Sequence, residues 1–220
     1  MNGNDEHQEQ PGIDGRCDAD EGVGAPGEWS SRGYLPHRDR LRLLQSVTFR
    51  LADSLPKTRL LELEAELKSV PSDQQDSHRR RRIEAWLDSG MGCCALRRAE
   101  AAACVRDVLL HFHGQRYELL AWVIMPNHVH VLIDPATPLF RIVQTWKSIS
   151  SRRLLEENDR WRLGIPDSRH VWMREYWDRF IRDEVHFRNV VDYIHGNPVK
   201  AGLCGKAEDW AWSSERGWGR

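Results

Sequence analysis

Two histidines stand one residue apart in "MPNHVHVLID", Met125 to Asp134, inside an otherwise apolar run. On a strand, side chains two apart leave the same face, so His128 and His130 stand side by side while Val129 and Val131 point to the other. Two neutral imidazoles so placed can each give a nitrogen to a divalent ion, leaving positions for a third protein ligand, water and substrate. The plainer alternative is two satisfied polar residues on a half-buried strand. Two other H-x-H chemistries fail on the sequence itself. A histidine-triad hydrolase needs a third histidine at the next alternate position, where Leu132 stands. A metallo-β-lactamase-like H-x-H-x-D-H is excluded because Asp134 is misplaced and no histidine follows it.

A second constellation lies in "DYIHGNPV", where Tyr193, one of four tyrosines, and Asn197 are i and i+4. On a helix they stack one turn apart. Phe187, Val190, Val191 and Ile194 form the apolar stripe of that helix, and both residues fall beside it, close enough to a sheet to reach something standing on it. Gly196 and Pro198 weaken the helix there, which puts Asn197 at a fraying end. The alternative is that Tyr193 packs at a core edge and Asn197 caps the helix C-terminus.

These side chains need a sheet and a helix to carry them, and the chain supplies both. "LLQSVTFRLADSLP" alternates Val47, Phe49 and Leu51 against Ser46, Thr48 and Arg50, a strand that stops at Pro56. Helical spacing covers Thr58 to about Lys68 and Arg79 to Leu87, with "VPSDQQDS" as the loop between, and then Ala99 to about His113. "YELLAWVI" and "HVHVLID" are strands joined by a tight "MPN" hairpin. A helix follows over Leu139 to Leu155, then a short strand in "HVWMREYW" and the helix bearing Tyr193. The order β-α-β-β-α-β predicts an α+β fold: a ferredoxin-like split βαβ, its antiparallel sheet carrying helices on one face and one further C-terminal helix.

The first 32 residues are acidic and rich in Gly and Pro, and predict a disordered leader. Residues 33–220 then form one domain, with a helical insertion at about 57–90. Residues 1–36 hold eight of the 33 acidic residues but two of the 32 basic ones, leaving a mildly basic body of 30 bases against 25 acids. The basic body suits a polyanionic partner, while the near-neutral balance of the whole chain argues against coating nucleic acid by bulk charge alone. Five cysteines, without C-x-x-C or zinc-like spacing, point to a reducing cytoplasm. The longest apolar run, "LLAWVIM", is too short to span a bilayer, so no membrane role is expected.

"AWVIMPNHVHVLID", "EYWDRFIRDEVHFRNVVDYIHGNPVKAGL" and "DWAWSS" resemble the REP-associated tyrosine transposases, a branch of the HUH single-strand DNA endonuclease superfamily related to single-tyrosine insertion-sequence transposases. "GYLPH", "FRLADSLP" and "LDSGMGCCALRRAE" resemble one subgroup, so the likeness runs from about Gly33 to Trp212. It implies that His128 and His130 bind a divalent cation, Mg²⁺ or Mn²⁺, with Asn197 as third ligand. It implies that Tyr193 is the nucleophile, cutting single-stranded DNA beside palindromic hairpins through a 5′-phosphotyrosine and later rejoining it. The alternative is a catalytically vestigial protein that binds such hairpins. Relatives include monomers and homodimers, and either state is open.

Arg141, Lys147, Arg152 and Arg153 supply a basic segment for phosphates, as do Arg79 and Arg80 in "HRRRR" and Lys200 near the tyrosine. Solvated helix faces are the usual fate of such runs. His186 and His195 are the nearby candidates for a general base. Among ten tryptophans, Trp210, Trp212 and Trp218 could stack on bases, although packing is the commoner role, and Trp86 and Trp122 read as core.

Overall fold

The computed structural model describes the backbone of residues 29–31 and 36–38 and the whole of residues 43–167 and 170–217. The expected leader lies, except for Trp29–Ser31, outside these residues. β1 (Trp29–Ser31) and β2 (Pro36–Arg38) form a small antiparallel ribbon. The main sheet is built from β3 (Gln45–Arg50), β4 (Tyr117–Ile124), β5 (His128–Pro135) and β6 (Trp177–Phe180). Its order is β4-β5-β3-β6 and every pairing is antiparallel. With α3 (Ala99–His111) after β3 and α4 (Leu139–Glu156) after β5, this is the split βαβ arrangement, an α+β fold.

The sheet is covered on both faces. Val47, Phe49, Leu119, Trp122, Val129, Val131 and Ile133 pack against α3 and α4 in the main core, around Trp146. On the other face Ala121, Val123, Met125 and Leu132 meet α5 (Glu184–Lys200) through Ile194, Phe187, Val190 and Val191. Burial on both faces is why β5 reads as a continuous apolar run. In β4 a bulge between Leu119 and Ala121 changes the parity. Tyr117 and Leu119 therefore share the main core with Trp122 and Ile124, and Leu120 turns outward. The "MPN" hairpin closes as expected, Met125 N–H donating to His128 O at 2.9 Å.

α1 (Lys57–Leu67) and α2 (Ser72–Asp88) form an antiparallel pair with a small core of their own, Leu55, Leu63, Leu67, Ile83, Trp86 and Leu87. α2 begins well before the expected Arg79. Pro71 occupies its N-cap, Asp73 favours its first turn, and Gln75 Nε2 donates to the carbonyls of Leu67 and Val70 at the end of α1, so these polar residues are helical.

Two further expectations are corrected. The fourth strand is Trp177–Phe180, later than "HVWMREYW": Val171 and Met173 still bond to Ala52 and Arg50, but the carbonyls of Met173, Arg174 and Glu175 turn to Lys147 Nζ instead of the ladder. And α5 does not fray at Asn197. It runs through Pro198 to Lys200 and ends where Gly202, at φ +69°, closes a Schellman turn: Leu203 N–H donates to Pro198 O and Gly202 N–H to Val199 O. Among the described residues no helix is long and apolar enough to cross a membrane.

Candidate active site

Because β5 is a regular strand, His128 and His130 leave it on the face covered by α5, their rings edge to face at 4.7 Å between centroids. Both are buried, with 1% and 2% of their surfaces exposed. Each has its Nδ1 engaged. Thr48 is the register partner of His130 across β3 and β5, and its Oγ1 lies 2.7 Å from His130 Nδ1. His128 Nδ1 lies 2.7 Å from Asn127 Oδ1, whose amide is oriented by Nδ2 donating to Met91 O at 2.9 Å. An acceptor at His128 Nδ1 puts the ring's proton there and leaves Nε2 its lone pair. Burial pulls the His130 pKa down to about 3, with the Lys200 charge adding to it. Burial, then His130 and then Lys200, holds His128 well below the ordinary imidazole range. Both rings are neutral at pH 7.

α5 brings Tyr193 over this pair. Its ring stands edge-on to His130 at 5.3 Å between centroids, within a single chain. One turn on, Asn197 is 1% exposed, its Nδ2 reaching Tyr193 O at a long 3.5 Å. His130 Nε2, Tyr193 Oη and Asn197 Oδ1 are buried and meet no hydrogen-bond partner among the described residues. Orphaned buried polar atoms are costly and rare, and three from one constellation mark a site that something else completes. Burial drives the Tyr193 phenol well above its usual range, and the Glu84 carboxylate of α2 adds to this. Glu84 is itself raised, chiefly by burial. Glu84 and Asn197 lie close enough to shift the phenol's ionisation, although neither closes a hydrogen bond of good geometry with it.

The other candidates divide by face. Arg80 lines the cleft beside Tyr193. Lys200 pairs with Asp88 at 2.8 Å and lies 5.9 Å from the Tyr193 ring, tying α2 to α5. Arg79 is paired with Glu64 on the α1–α2 hairpin. Arg141, Arg152 and Arg153 are exposed on α4, across the sheet from the histidines, and Arg153 pairs with Glu157 at 3.0 Å. Lys147, also on α4, gives its ammonium to three carbonyls, and burial lowers its pKa to about 7. His195 faces Ser214 and Glu215 at 2.8 and 2.7 Å, away from the phenol. Trp86 and Trp122 are core. Trp210 Nε1 donates to Ile124 O and Trp212 packs half-buried on the main core; Trp218 lies outside the described residues. Sequence reasoning missed Thr48, Asn127, Glu84, Arg179 and Arg182. The polar face of strand one was the one signal that pointed toward Thr48.

Residues 103–197, from α3 through the histidine pair to Asn197, match the transposase family described as IS200-like. The REP-associated tyrosine transposase of Escherichia coli (strain K12) is 29% identical over 99 residues, which are 44% of this chain and 54% of that one. A Haemophilus influenzae (strain Rd) protein provisionally given the same name is 32% identical over 104 residues, 44% of this chain and 58% of its own. The chain thus spans somewhat over half the length of these relatives. A solved REP-associated tyrosine transposase bound to a REP hairpin aligns over 84% of this chain and 83% of its own, at 16% identity and a TM-score of 0.48. The resemblance read from the motifs is borne out: over this segment the chain is similar to REP-associated tyrosine transposases.

Proposed function

We propose that this protein is a metal-dependent single-strand DNA endonuclease and strand transferase acting beside palindromic hairpins through a 5′-phosphotyrosine. The observation that carries the reading is that Tyr193 stands edge-on to His130, 5.3 Å between ring centroids, and that His130 Nε2, Tyr193 Oη and Asn197 Oδ1 are all buried and meet no partner among the described residues. Among the described residues no cluster of three or more His, Cys, Asp or Glu side chains has metal-holding geometry. A divalent cation, Mg²⁺ or Mn²⁺, would be held by His128, His130 and the Asn197 oxygen, the ligand set that the resemblance implies. Such an ion supplies charge neutralisation of the scissile phosphate and of the departing 3′-oxygen.

The chain's own residues do the rest. Thr48 and Asn127 hold the two imidazoles in orientation, and the Asn127 oxygen keeps the His128 proton on Nδ1, leaving that ring's Nε2 its lone pair. α5 holds the phenol against His130, ready to attack the phosphorus. The P–O bond to Tyr193 forms as the bond to the 3′-oxygen breaks; the phenol's proton passes to a base and the leaving oxygen takes one up. Glu84, facing the phenol with a pKa raised by burial, is positioned to receive that proton. The phosphodiester is stored on Tyr193, so rejoining needs no other energy source. The α1–α2 pair is read as an insertion into a domain spanning 33–220.

The test is a covalent adduct with a labelled hairpin oligonucleotide bearing a single-stranded flank. It is expected with the wild type and absent in Tyr193→Phe, which still binds. DNA bound without any adduct by the wild type would leave a hairpin-binding protein in its place. Adduct yield unchanged in excess chelator would remove the metal.

A further inference from the structure

A cleft of about 420 Å³ opens between α2 and the β6–α5 junction, with Tyr193 in its wall. That is the scale of a ligand pocket. Arg80 enters it from α2, Arg179 from β6 and Arg182 from the turn before α5. None of the three forms an ion pair with another described residue. They crowd one another: after burial, the charges of Arg80 and Arg182 weigh most on Arg179. Glu84 and Asp178 also line the cleft, and Glu84 feels both the Arg80 charge and the phenol.

His186 supplies the observation that the charges alone do not. It is 8% exposed and lines the same cleft. Its Nδ1 accepts the Arg182 backbone N–H at 3.2 Å, so the neutral ring must carry its proton on Nε2. That N–H is buried and finds no acceptor among the described residues. Three guanidiniums and one orphaned donor around a nucleotide-sized space are the complement of an oxyanion with several acceptor oxygens.

We infer that this cleft is a phosphate subsite for the single strand flanking the scissile linkage, with Arg80, Arg179, Arg182 and His186 Nε2–H binding backbone oxygens. The inference rests on the nickase reading and deepens it. It also gives the helical pair a task, since Arg80 lies outside the segment matched by the transposase family. A strand held here lies beside Tyr193, which lines the same cleft.

Binding of the oligonucleotide dT8 tests this, with inorganic phosphate as the second probe and the His186 side-chain Nε2–H followed by NMR. In the wild type both probes shift the His186 resonance. In Arg80→Ala/Arg179→Ala the affinity for dT8 falls at least tenfold. The slope of log K against log salt becomes shallower by about 0.7 for each phosphate that is no longer neutralised. Arg80→Lys/Arg179→Lys restores most of the slope. An unchanged affinity and slope in the alanine pair, or a His186 resonance indifferent to dT8, overturns the inference; a response to phosphate alone shows a free-anion site instead. Tyr193→Phe separates the two readings, because it abolishes any adduct yet leaves dT8 binding intact. A wild type that forms no adduct, together with an alanine pair that no longer holds dT8, refutes the nicking and keeps the subsite.

Discussion

Thr48→Val is the sharpest perturbation of the proposed metal centre. It preserves shape and β-branching in a central strand, and replaces the hydroxyl 2.7 Å from His130 Nδ1 by a methyl group. The folded protein loses one buried hydrogen bond and leaves a ring nitrogen without its partner, a cost of about 1–3 kcal/mol. The larger consequence concerns Nε2. With Nδ1 unanchored, the imidazole is free to rotate or to exchange tautomers, and the loss of such an outer partner lowers metal affinity by about 10–100-fold. That corresponds to roughly 1.4–2.8 kcal/mol. Mn²⁺ titration at pH 7, read by calorimetry or by the paramagnetic signal of the free ion, measures this without any DNA. Adduct yield should then recover at high Mn²⁺, since Thr48 touches no reacting atom. If Thr48→Val binds Mn²⁺ as the wild type does while His130→Ala loses it, Thr48 does not orient the ring; if both bind normally, the histidine pair is not the metal site.

Asn197→Ala should uncouple stability from function: it deletes a buried orphan acceptor and installs the best helix former, so stability is unchanged or up by as much as about 1 kcal/mol in denaturant titration, while Mn²⁺ affinity and adduct formation fall. Acid should unfold the apo protein through His128 and His130. Their folded pKa values lie below the unfolded one near 6.5, so the stability they contribute is complete above pH 6.5 and is lost as pH falls toward the His130 value of about 3. For His130 this loss is on the order of 5 kcal/mol, and His130→Asn should flatten the profile. Lys147→Met leaves three carbonyls without their donor and should cost about 1–3 kcal/mol, or several degrees in Tm, with no change in the salt dependence of DNA binding. A shallower salt slope would instead return Lys147 to the DNA interface.

The parts of the fold legible in the sequence were those fixed by period. Alternation in "SVTFRL" and the apolar run of β5 located central strands, and the spacing of Phe187, Val190, Val191 and Ile194 located α5. What period cannot report is where a chain leaves the ladder. Val171 and Trp172 read as a strand, and do touch β3, but Lys147 draws the next three carbonyls away, so regular pairing resumes only at Trp177. Pro198 misled for a related reason. It removes one donor from the last turn, while the stop is set by Gly202, five residues beyond Asn197, through bonds that appear only once the turn has closed.

The same division governs the site. His128 with His130, and Tyr193 with Asn197, are local pairs whose common face follows from backbone geometry alone, and these could be read. Thr48 meets His130 across 82 residues of chain, and Arg80 joins Arg179 only because α2 docks beside β6. The sheet explains why such a site is affordable at all. Its α3–α4 face carries the main apolar core around Trp146, where Trp122 Nε1 is also unpartnered among the described residues, whereas on the α5 face three such atoms belong to His130, Tyr193 and Asn197, each a cost of about 1–3 kcal/mol. The cations do not divide so simply: on α4, Lys147 and Arg153 are engaged within the protein while Arg141 and Arg152 stand exposed, and beside the phenol Lys200 pairs with Asp88 while Arg80, Arg179 and Arg182 line the cleft without an ion pair among the described residues. A polyanionic strand that enters this cleft therefore meets three guanidiniums on the side of the sheet where Tyr193 stands.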